Sequence, residues 1–484
     1  MKGPVRSYRH MDNAVHLLLT KPLYPDTPLP GDEESGLSTG FRAIWKSMGL
    51  DPENPFGGLV SRGGTVVIKP NWVMDSNPVA AGLDCLITHS SIVLRVMEWA
   101  AKAMCGEGTV VIGDAPIQLC DFGKLLSASG MESVVRSVQS RYPGLKVAVE
   151  DWRLTLIDRS DGSHCGRAQT RQKYVEQIDE RSARDYVLID VGKDSFLEEL
   201  SDFADRFRVT CYPPSLMGRH HGHGVHRYLV TRRVFGIDLM VNLPKMKTHA
   251  KAGFTGALKN IVGINGHKEY LPHHIYGSYE DGGDCYARPS ALKSLYERLS
   301  DRFWEHNSGY GPLERASATL ALGSLRRLVD SVCREKNVEG SWPGNEVLWR
   351  MVLDLNHILY FSSSSPKHIL TIVDGIVAGE GEGPLRPRPK ATGLLAVGRN
   401  PAYLDAVLAR SMGYCIPRVP LVYHALYHRA SRFCGPKLDD FSVSHVAADG
   451  TTRSVEFYNL PVFNLEKPHL WRRAEVPGLA SRHG

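Results

Sequence analysis

The sequence has few cysteines, and no two of them have the spacing that metal clusters need. Nine cysteines occur among 484 residues, the number is odd, and no Cys-x-x-Cys pair is present. This pattern argues against a disulfide framework, a structural zinc site and a ferredoxin-type iron–sulfur motif. We therefore expect no intrinsic iron–sulfur cluster, and the composition suits a reducing, cytoplasmic setting.

Long apolar segments are also missing. No stretch reaches the roughly 18 apolar residues that indicate a membrane-spanning helix, so we expect no membrane span. The N-terminal residues lack the apolar run and the small-residue cleavage site of a signal peptide. Both features favour a cytoplasmic protein.

A strong charge of one sign is missing as well. The formal net charge is +6, and the lysines and arginines are spread along the chain. They lack the interleaved aromatic platform of a nucleic-acid binder, so we expect an anionic small molecule as partner and no nucleic acid. The composition indicates no oligomeric state.

Several standard catalytic motifs are absent. The chain has no Walker loop, no G-x-S-x-G elbow, no H-E-x-x-H pair and no EF-hand loop. Function must therefore be inferred from side chains at the ends of predicted strands.

The pattern of strands and helices predicts an α/β fold. Strands are predicted at 65–71 and 108–114, with a helix of apolar spacing at 90–104 between them. This order predicts a mostly parallel sheet flanked by helices, with right-handed crossovers.

Three regions are predicted along the chain. Residues 1–60 are rich in Pro, Gly and acidic side chains, which indicates an irregular N-terminal wrap. An α/β core is predicted for 61–415, with a helical insertion at 275–365. Residues 416–484 are predicted to form a C-terminal extension.

Polar residues follow several predicted strands at the points where the strands end. Four strand ends have such residues, namely Lys69 with Asn71, Asp114, Asn242 with Lys245, and Asp374. Ligands of open α/β sheets bind outside the carboxyl ends of strands, so these ends are expected to share one crevice. The alternative is that Asp and Asn cap the helices that follow.

Residues 237–274 hold the densest mixture of lysines, histidines, hydroxyls and glycines. Lys245 and Lys259 are predicted to take part in catalysis while binding a phosphate or carboxylate, and His249 is predicted as the general acid or base. The candidate substrate-binding residues are Lys69, Asn71, Lys247, Thr248, Thr255, Asn260 and Lys268. The alternative is a solvated basic loop, which does not explain the apolar residues interleaved with the lysines.

Two further segments could bind a metal. Asp114, Asp374 and Glu382, the last two in a glycine-rich acidic loop, are predicted either to hold a divalent cation or to orient the lysines. Four histidines lie within 220–226, and imidazoles are ligands for transition metals. Their spacing matches no zinc motif, which favours a loop that lines or covers the site.

Six motifs resemble one known family. They are IKPN at 68–71, VIGD at 111–114, NLPKMKTH at 242–249, TGALKNIVG at 255–263, DGIVAGEGEGP at 374–384 and NPAYLDAVLARSMG at 400–413. In this order they resemble the family called domain of unknown function 362, over about residues 64–415. HRYLVTRRVF at 226–235, NGHKEYLPHH at 265–274 and LWRMVLDLN at 348–356 resemble a subgroup found near genes for polysaccharides and natural products.

The resemblance implies an α/β fold and says little about the reaction. Many members carry a ferredoxin-type iron–sulfur domain, and this chain lacks the cysteines for one. The segment 255–264 also resembles, loosely, the Gly-Lys-Pro-Gly region of nickel-pincer lactate racemases.

The sequence thus predicts an enzyme that acts on an anionic small molecule in a biosynthetic pathway through Lys and His acid–base chemistry. A redox or metal-dependent protein, for electron transfer or for isomerisation like the nickel-pincer racemases, is one alternative. A non-catalytic binding protein is the other.

Overall fold

The computed structural model describes residues 11–21, 24, 36–158, 173–176, 184–210, 212–306, 309–333, 338–447 and 449–472. The strands are β1 Val15–Leu19, β2 Thr65–Pro70, β3 Thr109–Asp114, β4 Lys146–Asp151, β5 Thr155–Asp158, β6 Lys173–Glu176, β7 Tyr186–Asp190, β8 Phe207–Arg208, β9 His221–Gly222, β10 Val225–Thr231, β11 Leu239–Leu243, β12 Lys245–His249, β13 Gly253–Thr255, β14 His274–Ile275, β15 His368–Glu382, β16 Arg386–Gly398, β17 Ser442–Val446 and β18 Thr452–Glu456. The α-helices are α1 Gly36–Ser47, α2 Ser90–Ala103, α3 Phe122–Ala128, α4 Met131–Arg141, α5 Pro214–Met217, α6 Ala257–Asn260, α7 Ala291–His306, α8 Pro312–Val332, α9 Val347–Phe361, α10 Pro401–Met412, α11 Pro420–Tyr427 and α12 His469–Arg472.

One large mixed sheet organises the molecule. Its strands run in the order β18-β17-β1-β16-β15-β11-β2-β3-β4, and β12 joins it by pairing with β15. The five neighbours from β15 to β4 are parallel, whereas β16 is antiparallel to both β15 and β1. The predicted α/β class with a mostly parallel sheet is therefore confirmed.

The central strands are apolar on both faces because helices cover both sides of the sheet. In β2, Val66 and Ile68 belong to one core and Val67 belongs to the other. Helix α2 fills the first core, and helices α9 and α10 fill the second. Fully burying one such side chain stabilises the fold by about 1.5–3 kcal/mol. Near-continuous apolar runs are the expected pattern for a parallel sheet that is covered twice.

Segments outside 61–415 contribute to the same sheet. Strand β1 pairs with β16, and β17 pairs with β1 in parallel, so both chain ends extend the sheet at one side. Residues 1–60, expected to be irregular, thus contain a strand and the helix α1. The division of the chain at 61 and 415 remains a prediction.

The region expected to be a helical insertion contains α7, α8 and α9. Helices α7 and α8 pack against each other, and α9 lies almost wholly inside one core. Among the described residues, no helix has the length and apolar character needed to cross a membrane.

Candidate functional site

The carboxyl ends of four parallel strands lie side by side. Lys69 of β2 pairs in register with Asn242 of β11, and β3 and β15 flank these two strands. Just past the end of β11, Lys245 begins β12 and pairs with Asp374 of β15. The chain therefore collects Lys, Asn and Asp side chains at one edge of the sheet.

A cavity of about 160 Å³ opens at this edge. Eight of the sequence-predicted site residues line it, namely Asn71, Asp114, Lys247, His249, Thr255, Lys259, Asn260 and Lys268. The period-two alternation of β12 puts Lys247 and His249 on one face, and Thr255 of β13 lies opposite Lys247. Helix α6 supplies Lys259 and Asn260.

The other predicted residues do not line this cavity. Thr248 donates its hydroxyl hydrogen to the carbonyl of Gly381. Glu382 is an exposed residue and forms an ion pair with Arg472. Lys69 lies behind Asp114, while Lys245 and Asp374 bind each other in a separate buried network.

Lys69 and Asp114 form a buried ion pair at the wall of the cavity. The Nζ of Lys69 lies 2.7 Å from Oδ1 of Asp114, and the same carboxylate accepts hydrogen bonds from the backbone N–H groups of Trp72 and Ala115. Burial lowers the pKa of Lys69 and raises the pKa of Asp114, and each partner opposes the shift of the other. Three donors inside the protein therefore bind the carboxylate of Asp114.

A chain of amides links the strand ends to the cavity. The Nδ2 of Asn71 donates to Oδ1 of Asn260, and the Nδ2 of Asn260 donates to Oδ1 of Asn242. Helix α6 is fixed by Asp405 of α10, which accepts from the N–H groups of Ala257 and Leu258. These bonds fix the position of helix α6, which carries Lys259.

Lys259 lines the cavity without a carboxylate partner among the described residues. It is partly accessible, and among the described residues no carboxylate lies within ion-pair distance of it and no acceptor binds its ammonium group. Burial, followed by the charges of Lys268, Lys251 and Lys69, lowers the pKa of Lys259 to about 8. An anion in the cavity would offset the repulsion between the lysines and raise the pKa of Lys259.

Lys247 adds to this positive field. Its Nζ donates to the carbonyl of Leu86, and the side chain is buried. Burial and the charge of Lys245 lower the pKa of Lys247 to about 7. With Asp114 already neutralised by Lys69, the cavity carries an excess of positive charge.

The imidazole of His249 has a defined tautomer. Its Nδ1 accepts hydrogen bonds from the backbone N–H groups of Lys251, at 3.1 Å, and of Ala252, at 3.2 Å. A nitrogen that accepts two N–H groups carries no proton, so the proton of the neutral ring is on Nε2. Burial and the charges of Lys259 and Lys247 lower the pKa of His249 well below its usual value.

His273 also lines the cavity, and its tautomer is the opposite one. Its Nδ1 lies 2.6 Å from the carbonyl oxygen of Leu271, which can only accept, so the proton of the ring is on Nδ1. Burial and the charges of Lys259 and Lys251 lower the pKa of His273 well below its usual value. The site residues predicted from the sequence do not include His273. Its position in the Pro-His-His triplet does not indicate the contact with Leu271.

A second buried network surrounds Lys245. Its Nζ donates to Asp374 at 3.0 Å and to the hydroxyl of Tyr24, which in turn donates to Asp374. The ring of Tyr24 stacks on His89 with ring centroids 3.8 Å apart. The sequence does not reveal Tyr24, because it lies in the segment expected to be irregular. Asp374 is bound to Lys245, and Lys245 does not line the cavity described above.

The carboxylates expected to share a divalent cation are separated from one another. Asp114 binds Lys69, Asp374 binds Lys245 and Glu382 binds Arg472. In the part of the chain that the structure describes, no three His, Cys, Asp or Glu residues are grouped so as to hold a metal ion. The expectation of a divalent cation at these three residues is therefore corrected, because each carboxylate is paired with a lysine or an arginine.

The histidines of 220–226 are each bound elsewhere. His226 pairs with Glu198 at 3.0 Å, His223 pairs with Asp202, and His220 pairs with Glu269. His221 is buried against His226, and burial with the charge of His226 lowers the pKa of His221 to about 3. None of the four lines the cavity, so the loop does not have the lining role that the sequence suggested.

Comparison with known proteins gives a match to one family and no activity. No curated protein matches this chain. A crystal structure of a Thermotoga maritima protein from the Northeast Structural Genomics Consortium is 11% identical, with a TM-score of 0.31. The alignment covers 78% of this chain and 58% of that one. The chain therefore spans less than two thirds of that protein. Residues 190–410 match the family described as "Domain of unknown function (DUF362)". The chain is therefore similar to the DUF362 family over these residues.

Proposed function

We propose that this protein is an enzyme that binds a phosphate- or carboxylate-bearing small molecule in the cavity at the strand ends and acts on it by acid–base chemistry. A role in a biosynthetic pathway of the cytoplasm is part of the proposal. The observation that carries it is Lys259, which lines the cavity while Asp114, the carboxylate beside it there, is already bound to Lys69.

Electrostatics support an anionic ligand. Desolvating a cation without a partner is costly, and proteins usually avoid it by pairing the charge. Here Lys259, Lys247 and Lys268 line the same small cavity. The charge of Lys268 opposes the protonation of Lys259, and the charge of Lys245 opposes the protonation of Lys247. A crowded group of cations of this kind is the arrangement expected for charge-assisted binding of phosphate or carboxylate.

The size of the cavity supports a small ligand. At about 160 Å³ it is below the roughly 300 Å³ at which pockets for drug-sized ligands begin. Amide and hydroxyl groups of Asn71, Asn260 and Thr255 line it beside the lysines. They offer neutral hydrogen bonds to the part of a ligand that carries no charge.

Calorimetric titration with inorganic phosphate and with malonate tests the proposal. We expect wild-type protein to bind at least one of these anions and Lys259→Met to lose at least tenfold in affinity, because the unpaired ammonium group is gone. Lys259→Arg should keep most of the affinity. Lys293→Met is the matched control, since Lys293 is a buried lysine that lies outside the cavity.

Two results would overturn the proposal. One is wild-type protein that binds neither anion. The other is an equal loss of affinity in Lys293→Met and Lys259→Met, which would point to a general effect of removing a buried lysine. Circular dichroism of each variant should show an unchanged fold.

A further inference from the structure

We propose that His249 and His273 divide the proton chemistry of the cavity: the Nε2 of His273 accepts a proton from the ligand, and the Nε2–H of His249 stabilises the ligand oxygen that becomes negative. This inference rests on the proposed function and deepens it. It assigns two different roles to two histidines that line the same cavity.

The role of His249 follows from its hydrogen bonds. For this ring to act as a base through Nε2, its proton would have to move to Nδ1, where it would face the N–H groups of Lys251 and Ala252. Two donors pointing at one nitrogen exclude that tautomer. The ring is therefore held as a neutral donor, which differs from the general acid–base role expected from the sequence.

The role of His273 follows from the reverse arrangement. Its Nδ1–H is held by the carbonyl of Leu271, so the lone pair of the ring is on Nε2. The backbone N–H of His273 donates to the carbonyl of Arg208 at 2.8 Å, which fixes the residue from its main chain as well. Among the described residues nothing binds the Nε2 of His249 or of His273, so both are available to a ligand.

The lysines couple proton acceptance to ligand binding. Lys259, Lys251 and Lys268 all oppose a positive charge on His273. An anion bound at Lys259 cancels part of this opposition, and the basicity of His273 rises once the ligand is present. Lys259 and Lys251 also act on His249, together with Lys247 and His273, but its two backbone donors still keep it neutral.

The chemistry that these roles allow is a proton transfer that leaves an oxyanion. The proton comes either from a hydroxyl group of the ligand or from a carbon beside a carbonyl group. The O–H or C–H bond breaks, and a new N–H bond forms at Nε2 of His273. The electron pair stays on the ligand, either on that oxygen or moved onto the carbonyl oxygen. That oxygen then accepts the hydrogen bond from Nε2–H of His249. The ligand class is thus a small anion that also carries a hydroxyl or carbonyl group.

Nitrogen NMR of the full-length protein tests the assignment without knowledge of the substrate. Two-bond proton–nitrogen spectra of protein with labelled histidine distinguish the two tautomers, and His249→Gln and His273→Gln assign the signals. We expect His249 with its proton on Nε2 and His273 with its proton on Nδ1. Added inorganic phosphate should raise the titration midpoint of His273 by at least one pH unit and leave His249 neutral.

The outcomes separate this inference from the proposed function. The opposite tautomer at either histidine, or a His273 midpoint that does not move while phosphate binds, would overturn the division of roles alone. Phosphate and malonate that fail to bind in calorimetry would overturn the proposed function, and the inference with it. His274→Gln is the control, because His274 is a buried neighbour that does not line the cavity, and its removal should leave both tautomers unchanged.

Discussion

The Nζ of Lys69 lies 2.7 Å from the Oδ1 of Asp114, and neither side chain is more than 4% exposed. The pair joins the ends of β2 and β3 at the wall of the cavity. Its effect on function is indirect, because a neutralised Asp114 leaves Lys259 without a carboxylate partner. The pair therefore stabilises the sheet edge and keeps the cavity positive.

Breaking this pair from one side should be costly. Asp114→Asn leaves the charge of Lys69 buried without its partner, and we expect a loss of about 3–5 kcal/mol in the free energy of unfolding. Urea denaturation followed by circular dichroism measures this loss. Adding Lys69→Met to Asp114→Asn should recover part of it, because the unpaired charge is removed.

An exposed ion pair gives the control for that experiment. Arg62 and Glu107 are 3.1 Å apart with 70% and 55% of their side-chain surface exposed. Glu107→Gln should therefore cost much less stability than Asp114→Asn. If Asp114→Asn proved as mild as Glu107→Gln, the pair would not hold the strand ends in the way described.

Gly263 permits the same pair to form beneath the loop after α6. A Cβ at this position would lie 1.9 Å from Oδ1 of Asp114 and 2.7 Å from Nζ of Lys69. We expect Gly263→Ala to destabilise the protein by about 1–3 kcal/mol or more, measured by urea denaturation. Gly58→Ala meets no atom within 4 Å and should have little effect. Equal stability of the two variants would refute the close packing around Gly263.

Anion affinity should fall as the pH rises. The pKa of Lys247 is lowered to about 7 and that of Lys259 to about 8, chiefly by burial, so both ammonium groups are charged below these values and lose their protons above them. Sulfate keeps its charge throughout this range, so calorimetry with sulfate from about pH 6 to about pH 9 reports the lysines alone. We expect weaker binding at each step upward.

Lys259→Arg refines this pH experiment. A guanidinium stays charged across the whole range, so the variant should lose less affinity than wild-type protein between about pH 8 and about pH 9. An affinity that stayed flat or increased with pH in wild-type protein would show that these lysines do not bind the anion.

The hydroxyl of Tyr24 should contribute to stability through the second network. Tyr24→Phe keeps the stack on His89 but removes the bonds to Asp374 and Lys245. We expect a loss of about 1–3 kcal/mol in the free energy of unfolding, because Asp374 and Lys245 each lose one hydrogen bond. Thermal or urea unfolding measures this loss. Tyr427→Phe, at an exposed tyrosine, should leave stability unchanged. If Tyr24→Phe left the free energy of unfolding unchanged, the hydroxyl of Tyr24 would add nothing to the Lys245 network.

The sequence was informative where local patterns carry the signal. The apolar runs of β2 and β3 with α2 between them predicted a parallel sheet, and the parallel pairing brings Asn71 and Asp114 to one edge. The alternation of β12 likewise places Lys247 and His249 together. Each of these inferences depends on neighbours within a few residues.

Long-range pairing is what the sequence could not supply. Strand β1 is only five residues long, and it is held by β16 and β17 from the far end of the chain. Tyr24 meets Asp374 across 350 positions. The difference between His249 and His273 depends on which backbone groups face each Nδ1, and no spacing of histidines encodes that contact.

A crystal structure of wild-type protein soaked with tungstate, a heavy mimic of phosphate, would show whether Lys259 binds an anion. We expect an anomalous density peak in the cavity, with tungstate oxygens in hydrogen-bond reach of the Nζ of Lys259 and of the Nε2 of His249. The peak should be absent from Lys259→Met crystals prepared in the same way. A tungstate bound only outside this cavity, or one that remains beside Met in the variant, would contradict the claim that Lys259 is held there for an anion.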